Sequence, residues 1–349
     1  MNERAKAMSD LKPILARLAT GETLSEDEAA HAFDVIMSGQ ATPSQIGALL
    51  MAMRLRGETV AEITGAARTM RAKALAVKAP AGAVDIVGTG GDCSGSYNIS
   101  TGAALVIAAC GVTVAKHGNK AQTSKSGSAD VLKALGVNLD AELPVVERAI
   151  AEAGIGFMLA TRHHSAMKHV GPTRQEIGTR TIFNILGPLA SPAGVKRMVI
   201  GVFAEEWLAP LAQVLGNLGA ERAWMVHGSD GLDEITTTGP TAVAELKGGK
   251  VTTFTIAPED VGLPRVAPEA LKGGDPDFNA AALRAILEPE VPAALLPLRD
   301  AVAFNAAAVL VVADVEKTLK EGVSKAMEVM KNGSAKQVLA DFVRITNEA

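Results

Sequence analysis

A glycine-rich stretch, Asp85–Thr101, contains the first residues whose types and spacing could bind a substrate. It reads D-I-V-G-T-G-G-D-C-S-G-S-Y-N-I-S-T and lies between a predicted strand and a predicted helix, where backbone amides and a helix N-terminus can hold an anion. A dinucleotide fingerprint starting at Gly88 would need glycine at Cys93, and no Gly-Lys-Ser/Thr of a Walker loop follows. A plain strand–helix turn is the alternative. The polar side chains of Asn98 and Ser100 at the helix entrance favour phosphate binding.

A second polar loop, Lys116–Ser128, also follows a predicted strand and reads K-H-G-N-K-A-Q-T-S-K-S-G-S. Its lysines, Lys116, Lys120 and Lys125, stand among small hydroxyl and amide residues, a mixture suited to a polyphosphate. The lysines alone are typical of a solvated basic loop. Two such loops at the same end of neighbouring parallel strands favour a ligand, because ligands of open α/β sheets bind beyond the carboxyl ends of the strands.

An acidic loop, His227–Glu234, follows a further predicted strand and reads H-G-S-D-G-L-D-E. Its adjacent carboxylates, Asp233 and Glu234, would repel a phosphate unless a cation lay between them, so the pair predicts Mg²⁺. A surface turn is the alternative when this loop is considered alone.

The segment Arg162–Arg174 contains three histidines and two arginines. The histidine spacing fits neither H-E-x-x-H nor a structural zinc site, so we interpret these residues as polar pocket or surface histidines. Arg174 follows Gly-Pro and opens a predicted helix, Gln175–Ile185. In a pocket its guanidinium would pair in bidentate geometry with a substrate carboxylate; otherwise it is a surface residue.

The chemistry that these groups share is electrostatic, since the sequence shows no Ser-His-Asp or Cys-His arrangement. Phosphate donors, magnesium carboxylates and an arginine suit displacement at an activated sugar carbon with magnesium-bound pyrophosphate as the leaving group. Such an enzyme mainly positions and neutralises its substrates.

The elements that must position these groups fall into two parts. Up to about Lys78 only helices are predicted, with helix-start signals at Ser25–Glu28, Thr42–Gln45 and Thr59–Glu62. Lys78–Ala83 has the composition of a linker.

Beyond the linker, short β-branched runs alternate with helical patterns. Predicted strands are Val84–Val87, Val112–Lys116, Ile155–Leu159, Met198–Phe203 and Ala223–His227, and predicted helices are Thr101–Cys110, Ser128–Leu135, Pro144–Ala153 and Glu205–Leu218. A hairpin at Thr241–Ile256 and helices from Phe304 onward complete the chain. The predicted fold class is α/β, with a small N-terminal helical domain and a large domain built on a mostly parallel, helix-flanked sheet.

Composition narrows the class of protein further. The 349 residues are 48% hydrophobic but only 3% aromatic, which suits an aliphatic core, and the net charge of −4 disfavours nucleic-acid binding. Two cysteines, Cys93 and Cys110, form no disulfide framework and suit a reducing compartment. The N-terminus lacks the apolar core of a signal peptide, and the apolar run Ala306–Ala313 is too short to span a bilayer. We therefore expect a soluble cytoplasmic protein with no membrane partner.

The motifs together closely resemble those of the anthranilate phosphoribosyltransferase family. The matching pieces are G-T-G-G-D at Gly88–Asp92, N-I-S-T at Asn98–Thr101, K-H-G-N at Lys116–Asn119, S-G-S-A-D at Ser126–Asp130, H-V-G-P-T-R-Q-E-I-G-T-R-T-I-F-N-I-L-G-P-L at His169–Leu189 and D-E at Asp233–Glu234. The resemblance covers essentially the whole chain.

This resemblance implies a nucleoside phosphorylase-like phosphoribosyltransferase fold. The implied reaction transfers the phosphoribosyl group of 5-phosphoribosyl 1-pyrophosphate (PRPP) to the amine of anthranilate, the second step of tryptophan biosynthesis from chorismate. The implied domains are 1–80, helical and dimerising, with the segment 172–190 packing on it, and 81–349, which binds PRPP. A homodimer is the implied assembly.

The resemblance also implies a role for individual residues. Those implied for PRPP are Gly88, Gly91, Asp92, Ser96, Asn98, Ile99, Ser100, Thr101, Lys116, His117, Gly118, Asn119, Lys120, Ala121, Gln122, Thr123, Ser124 and Ser128. Those implied for anthranilate are Gly88, Asn119 and Arg174. Two Mg²⁺ ions are implied, one on Ser100 and the other on Asp233 and Glu234, with Glu234 able to serve both. No acid–base residue is implied.

The sequence departs from the family pattern at three positions. Thr161 and Ser165 stand where proline is frequent, which bears on the choice of aromatic acceptor, and Lys120 stands where arginine is commoner. A nucleoside phosphorylase would use free phosphate, and the acidic pair and N-I-S-T loop favour pyrophosphate instead. A non-catalytic nucleic-acid binder would need a strongly basic surface.

Overall fold

The N-terminal helices begin where the sequence supplies caps. The structure is a computed structural model that describes residues 10–91, 94–121 and 125–348. Its first helices are α1 (Lys12–Ala19), α2 (Glu26–Met37), α3 (Pro43–Arg56) and α4 (Val60–Ala72). The predicted caps Ser25, Thr42 and Thr59 each accept a hydrogen bond from the third backbone amide of their helix, and each forms a complete capping box. These three predicted helix starts are confirmed.

A seven-stranded sheet has the order β3-β2-β1-β4-β5-β6-β7. Its strands are β1 (Val84–Gly88), β2 (Val114–Gly118), β3 (Ile155–Leu159), β4 (Arg197–Gly201), β5 (Arg222–Gly228), β6 (Thr241–Lys247) and β7 (Lys250–Ile256). The first five strands are parallel and the last two form an antiparallel hairpin on β5. The predicted α/β class, with a mostly parallel sheet, is confirmed.

Helices cover both faces of this sheet. They are α5 (Ile99–Ala109), α6 (Ser128–Ala134), α7 (Leu143–Glu152), α8 (Ala160–His163), α9 (Gly171–Ile177), α10 (Phe183–Leu189), α11 (Leu208–Asn217), α12 (Pro276–Ile286), α13 (Leu296–Val312), α14 (Leu319–Lys331) and α15 (Ser334–Asn347). Short 3₁₀ turns occur at Ser165–His169, Glu205–Trp207, Pro258–Val261, Pro268–Leu271 and Ala293–Leu295.

Two predicted boundaries near the site are wrong. Strand β2 runs to Gly118, two residues beyond its predicted end at Lys116, so His117 and Gly118 belong to the strand and not to the polar loop. Helix α5 starts at Ile99, two residues before the predicted start, so Thr101 is in its first turn.

The predicted single helix Gln175–Ile185 is also wrong. Helix α9 ends at Gly178, which has a φ of 63°, and α10 begins only at Phe183. A left-handed glycine is a common helix stop, and here it divides the predicted helix in two.

The core consists of two apolar clusters, one on each face of the sheet. One contains α5 and α13, and the other joins the N-terminal helices to α10, α11 and the opposite strand faces. The stretch Ala293–Val312 has 20 residues, and its most apolar window has a mean hydropathy of 1.7. By length and composition it could span a membrane, whereas the apolar run Ala306–Ala313 considered in the sequence is too short to do so. Because 78% of that window is buried inside the fold, we interpret Ala293–Val312 as a core helix.

Strand β1 is the centre of the parallel sheet, with β2 on one side and β4 on the other. The chain winds from β1 to β2 and β3, then returns to the other side of β1 to form β4 and β5. Loops that leave β1 and β4 therefore diverge, and such a switch point opens a crevice for a ligand at the carboxyl ends of the strands.

Candidate active site

Two glycines at the ends of β1 and β4 make room for the acidic loop. Gly88 and Gly201 are register partners on neighbouring strands. A Cβ atom at Gly88 would collide with Asp233 Oδ2, and one at Gly201 would collide with the Asp233 backbone carbonyl. Asp233 therefore packs directly against the carboxyl ends of β1 and β4. Its Oδ2 accepts a hydrogen bond of 2.6 Å from Gly90 N.

Glu234 reaches the start of helix α5. Its Oε1 accepts a hydrogen bond of 3.1 Å from Ser100 N, and the positive end of the helix dipole favours a carboxylate there. Asn305 on α13 fixes Ile235, the residue after Glu234. The Asn305 side chain accepts a hydrogen bond of 3.0 Å from Ile235 N and donates one of 2.7 Å to Ile235 O. The structure thus brings together the three predicted metal ligands Ser100, Asp233 and Glu234.

This donor set fits magnesium. Two carboxylates and a serine hydroxyl are hard oxygen ligands, and Mg²⁺ is usually held by one or two carboxylates plus substrate phosphates. No group of three or more His, Cys, Asp or Glu side chains that could enclose a metal occurs in the described part of the chain. A magnesium ion held by Ser100, Asp233 and Glu234 would take its remaining oxygen ligands from water or a bound phosphate.

A buried lysine and a buried aspartate lie beneath the strand ends. Lys116 on β2 is 2% exposed, and its Nζ donates to the Ile86 carbonyl. Burial lowers the pKa of Lys116, while Asp85, Glu234 and Asp233 act in the opposite direction. Burial also raises the pKa of Asp85 to about 7. Lys116 is therefore enclosed within the sheet and is not part of a solvated basic loop.

The polar loop after β2 is closed at its base. Asn119 O accepts from Ser128 Oγ at 3.3 Å, and Asp130 Oδ2 accepts from the backbone amides of Ala121 at 2.8 Å and Gly127 at 3.0 Å. Lys120 is exposed at this loop. Gly118 permits the closure, since a Cβ atom there would collide with Ser128 Oγ.

The helix entrance of the glycine-rich stretch presents different groups from those the sequence indicated. The side chains of Ile99 and Thr101 are buried in the core, and Thr101 Oγ1 has no hydrogen-bond partner among the described residues. Asn98 and Ser96 are half-buried. Asn98 donates from Nδ2 to the carbonyl of Ser126 at 3.2 Å, which joins the first polar loop to the second.

Some predicted PRPP residues lie outside the described residues: Asp92, Gln122, Thr123 and Ser124, together with Cys93. Their assignment stays a prediction from the sequence.

A segment that sequence reasoning missed braces the glycine-rich stretch from outside. Gly273 N donates to Gly95 O at 2.9 Å, and Tyr97 N donates to Leu271 O at 3.1 Å. The ring of Tyr97 stacks on Phe278, with centroids 5.9 Å apart and planes inclined by 12°. The run K-G-G-D-P at Lys272–Pro276 signals a turn and a helix start, but nothing local indicates its partner.

Arg174 lies in α9, on the side of the molecule where the N-terminal helices pack. Its guanidinium carbon lies 5.3 Å from the ring centroid of Phe183, which in turn lies 5.5 Å from that of Phe33 on α2. Burial lowers the pKa of Arg174, and guanidinium still keeps its charge at neutral pH.

Arg180, also missed in the sequence, joins this segment to the glycine-rich stretch. Its Nη2 donates to the Gly91 carbonyl, and its guanidinium carbon lies 4.2 Å from the ring centroid of Phe203. Arg180 therefore ties the connection between α9 and α10 to the glycine-rich stretch after β1.

The histidines differ in environment. His163 and His164 are buried, and His169 is exposed. The His164 ring lies 5.1 Å from that of His117 on β2. Burial lowers the pKa of His117 to about 3 and that of His164 to about 4, so both rings are neutral at pH 7.

Family models match the two parts of the chain. Residues 12–74 match the helical bundle domain of the glycosyl transferase family, and residues 80–336 match the a/b domain of the same family. The two matches cover most of the chain.

Curated relatives are similar over the full length. The anthranilate phosphoribosyltransferase of Rhodospirillum rubrum is 64% identical, and the match covers 99% of this chain and 98% of the relative. That of Rhodopseudomonas palustris strain HaA2 is 61% identical over 98% of this chain and 100% of the relative.

Solved structures share the fold. The crystal structure of anthranilate phosphoribosyltransferase from Thermus thermophilus has a TM-score of 0.90 at 46% identity, covering 96% of this chain and 99% of that one. The Saccharomyces cerevisiae enzyme in complex with PRPP and Mg has a TM-score of 0.84 at 29% identity, covering 93% of each chain. The yeast enzyme with 4-fluoroanthranilate has a TM-score of 0.86 at 26% identity, covering 97% of this chain and 99% of that one.

Proposed function

The chain belongs to the anthranilate phosphoribosyltransferase family of glycosyl transferases, and we propose that it performs the reaction for which that family is named. The substrates are PRPP and anthranilate, and the products are N-(5-phosphoribosyl)anthranilate and pyrophosphate, in the second step of tryptophan biosynthesis. The observation that carries this proposal is the meeting of Asp233 and Glu234 with the glycine-rich stretch and the start of α5.

The strand ends are the proposed site of the pyrophosphate donor. Backbone amides around Gly88 and Gly91, the N-terminus of α5 and the loop after β2 offer donors to phosphate oxygens. Asn98 and Lys116 anchor this region from the side and from below. We assign the other predicted PRPP residues to the same role because they belong to the two polar stretches of the sequence, Asp85–Thr101 and Lys116–Ser128.

Magnesium is the proposed metal, with two ions per subunit, one on Ser100 and one on Asp233 and Glu234. When bound, Mg²⁺ would neutralise the charge that develops on the leaving pyrophosphate. Asp233 and Glu234 would hold the metal ion at the carboxyl ends of β1 and β4. Hydrogen bonds from Gly90 and Ser100 to the two carboxylates fix them there.

The acceptor lies on the other side of the crevice in this proposal. Arg174 pairs with the anthranilate carboxylate, and Gly88 and Asn119 line the approach to the ribose. The anthranilate amine attacks the ribosyl C1, and the bond from C1 to the pyrophosphate oxygen breaks, with its electron pair leaving on pyrophosphate. The proton that the amine then loses passes to solvent or to the released pyrophosphate. The chain positions the two reactants and keeps the amine aligned with C1.

We propose further that the enzyme is a cytoplasmic homodimer, divided into domains at about residue 80. The exposed Leu55 at the end of α3, 81% accessible, supports contact through the helical domain. The low cysteine content and the free thiol of Cys110 support a reducing compartment.

The test is a turnover assay with the purified protein, which follows loss of anthranilate fluorescence in the presence of PRPP. The proposal expects turnover with Mg²⁺ and its loss after chelation, with pyrophosphate and anthranilate changing in equal amounts. Absence of turnover with metal present would overturn it. Equal turnover with a pyrimidine nucleoside and free phosphate would favour the phosphorylase alternative.

A further inference from the structure

Asn279 on α12 lies fully buried at 0% exposure, far along the chain from every motif of the site. Its Nδ2 nevertheless donates a hydrogen bond of 2.9 Å to Asn98 Oδ1 in the glycine-rich stretch. Helix α12 begins directly after the segment that braces this stretch. A buried amide that contacts a substrate-binding side chain can determine how that side chain is presented.

Backbone groups fix the polarity of this contact at both ends. Gly274 N, which can only donate, bonds to Asn279 Oδ1 at 2.8 Å, so the Nδ2 group of Asn279 must face Asn98. Asn98 must then present Oδ1 to Asn279. Its Nδ2 consequently faces the Ser126 carbonyl, which can only accept, at 3.2 Å.

A second donor to Asn98 Oδ1 is the hydroxyl of Ser126, whose Oγ lies 3.0 Å away. The Oδ1 atom of Asn98 therefore accepts two hydrogen bonds inside the protein. Turning the amide over would break the bond from Asn279 and would require Ser126 Oγ to accept instead of donate. The Nδ2 group of Asn98 lies on the side of the loop after β2, where Ser126 is.

We propose that Asn279 is a positioning residue that fixes the amide orientation of Asn98, so that an N–H donor and not an oxygen faces the bound anion. This inference rests on the proposed function, since it takes Asn98 as a ligand of PRPP. A flipped Asn98 amide would present a carbonyl oxygen to phosphate oxygens, and this would repel the substrate.

The test is Asn279→Asp, which preserves shape and reverses polarity. The carboxylate still accepts from Gly274 N, but it presents an oxygen to Asn98 Oδ1 and drives the Asn98 amide to turn over. We expect the Kd and KM for PRPP to rise about tenfold or more, from the loss of hydrogen bonds to a charged ligand. The KM for anthranilate should stay within about twofold, because Arg174 is untouched.

A matched control is Asp275→Ala. Asp275 caps the same helix, with Oδ1 accepting from Phe278 N at 2.8 Å. Its loss loosens the start of α12 without changing the polarity of the Asn279 contact. We expect a lower Tm and an unchanged Kd for PRPP. If D275A weakens PRPP binding as much as N279D, the role of Asn279 is merely structural and the proposal is wrong.

A second variant keeps the test decisive if N279D does not fold. Asn279→Ala removes the donor to Asn98 Oδ1 without placing an oxygen against it, and we expect about threefold weaker PRPP binding. Wild-type affinity in the folded variant would overturn the inference. Failure of the wild-type protein to bind PRPP at all would instead overturn the proposed function, and the inference with it.

Discussion

The two walls of the crevice are built in different ways. The wall proposed for the pyrophosphate donor, called the donor wall, consists of the loops after β1, β2 and β5. Backbone amides in these loops and at the start of α5 donate hydrogen bonds to the carboxylates of Asp233, Glu234 and Asp130. The acceptor wall, residues 160–191, is a set of short helices that pack on the N-terminal helices through contacts such as Phe183 on Phe33. The donor wall is part of the sheet, and the acceptor wall depends on a second packing unit.

Because of this difference, the two walls suit different substrates. A rigid wall suits a polyphosphate, whose charge must be met by donors already in place. A wall carried on separate helices can adjust to the acceptor without moving those donors. Arg180, which donates to the Gly91 carbonyl, and His164, whose ring lies 5.1 Å from that of His117, are two of the contacts between these walls.

Loss of charge on the donor wall should have the largest effect. Replacing Asp233 by asparagine keeps an acceptor for Gly90 N but removes charge from the metal site, and we expect kcat to fall about 100- to 1,000-fold. Steady-state assays across a range of Mg²⁺ concentrations would measure this. The control is Asp140→Asn, an exposed carboxylate between α6 and α7, which should keep wild-type turnover.

Filling the space beside the Asp233 carboxylate should cause the next largest loss of kcat/KM. In Gly88→Ala the added Cβ atom would collide with Asp233 Oδ2, and a displacement of this kind costs about 100-fold in kcat/KM. Gly171→Ala on the acceptor wall is the matched variant, since no atom lies within 4 Å of a Cβ built there. Equal losses in the two variants would show that the donor wall is no more tightly packed than the acceptor wall.

Removing Arg174 should change the KM for anthranilate but not the KM for PRPP. Arg174→Ala loses a charge-assisted pair with the anthranilate carboxylate, so we expect the KM for anthranilate to rise about 10- to 30-fold. The KM for PRPP and the kcat at saturating anthranilate should change little. A variant that behaves like the wild type at limiting anthranilate would contradict the placement of Arg174.

Acid should lower the stability of the fold by protonating the buried histidines His117 and His164, which lie where the two walls meet. Because the pKa of His164 falls from 6.5 to about 4 on folding, the unfolded chain binds the proton first, so stability is lost as pH falls from about 6.5 towards 4. His117 acts in the same sense with a pKa of about 3, and the pKa of His163 is lowered too, whereas that of Asp85, raised to about 7, opposes them.

The test of this pH dependence is His164→Phe, followed by chemical unfolding at pH 7, 6 and 5. We expect a shallower loss of unfolding free energy with acid, by at most about 1.4 kcal/mol per pH unit. An unchanged slope would mean that His164 is not held neutral by burial.

Sequence patterns predicted the donor wall better than the acceptor wall. Glycines, small polar residues and adjacent carboxylates after strands have local causes, and parallel strands bring their carboxyl ends to one edge. A shift of two residues in the predicted end of β2 was enough to place His117 in a loop, although it is buried in the strand. The caps of α2, α3 and α4 were predictable because their partners lie three residues away.

The contacts that tie distant segments could not be predicted from local patterns. Asn279 with Asn98 and Arg180 with Gly91 join residues separated by 181 and 89 positions. The break at Gly178 was missed because the residues on either side are individually compatible with a continuous helix. Tertiary packing onto the N-terminal helices decides the path of that segment.

Calorimetric titration of PRPP with Mg²⁺ into the Arg174→Ala variant, without anthranilate, tests the central claim most directly. If the donor wall is complete at the strand ends, the variant binds PRPP with the wild-type Kd, and Asp233→Asn loses that binding. A large loss of PRPP affinity in Arg174→Ala, with binding retained in Asp233→Asn, would contradict the account.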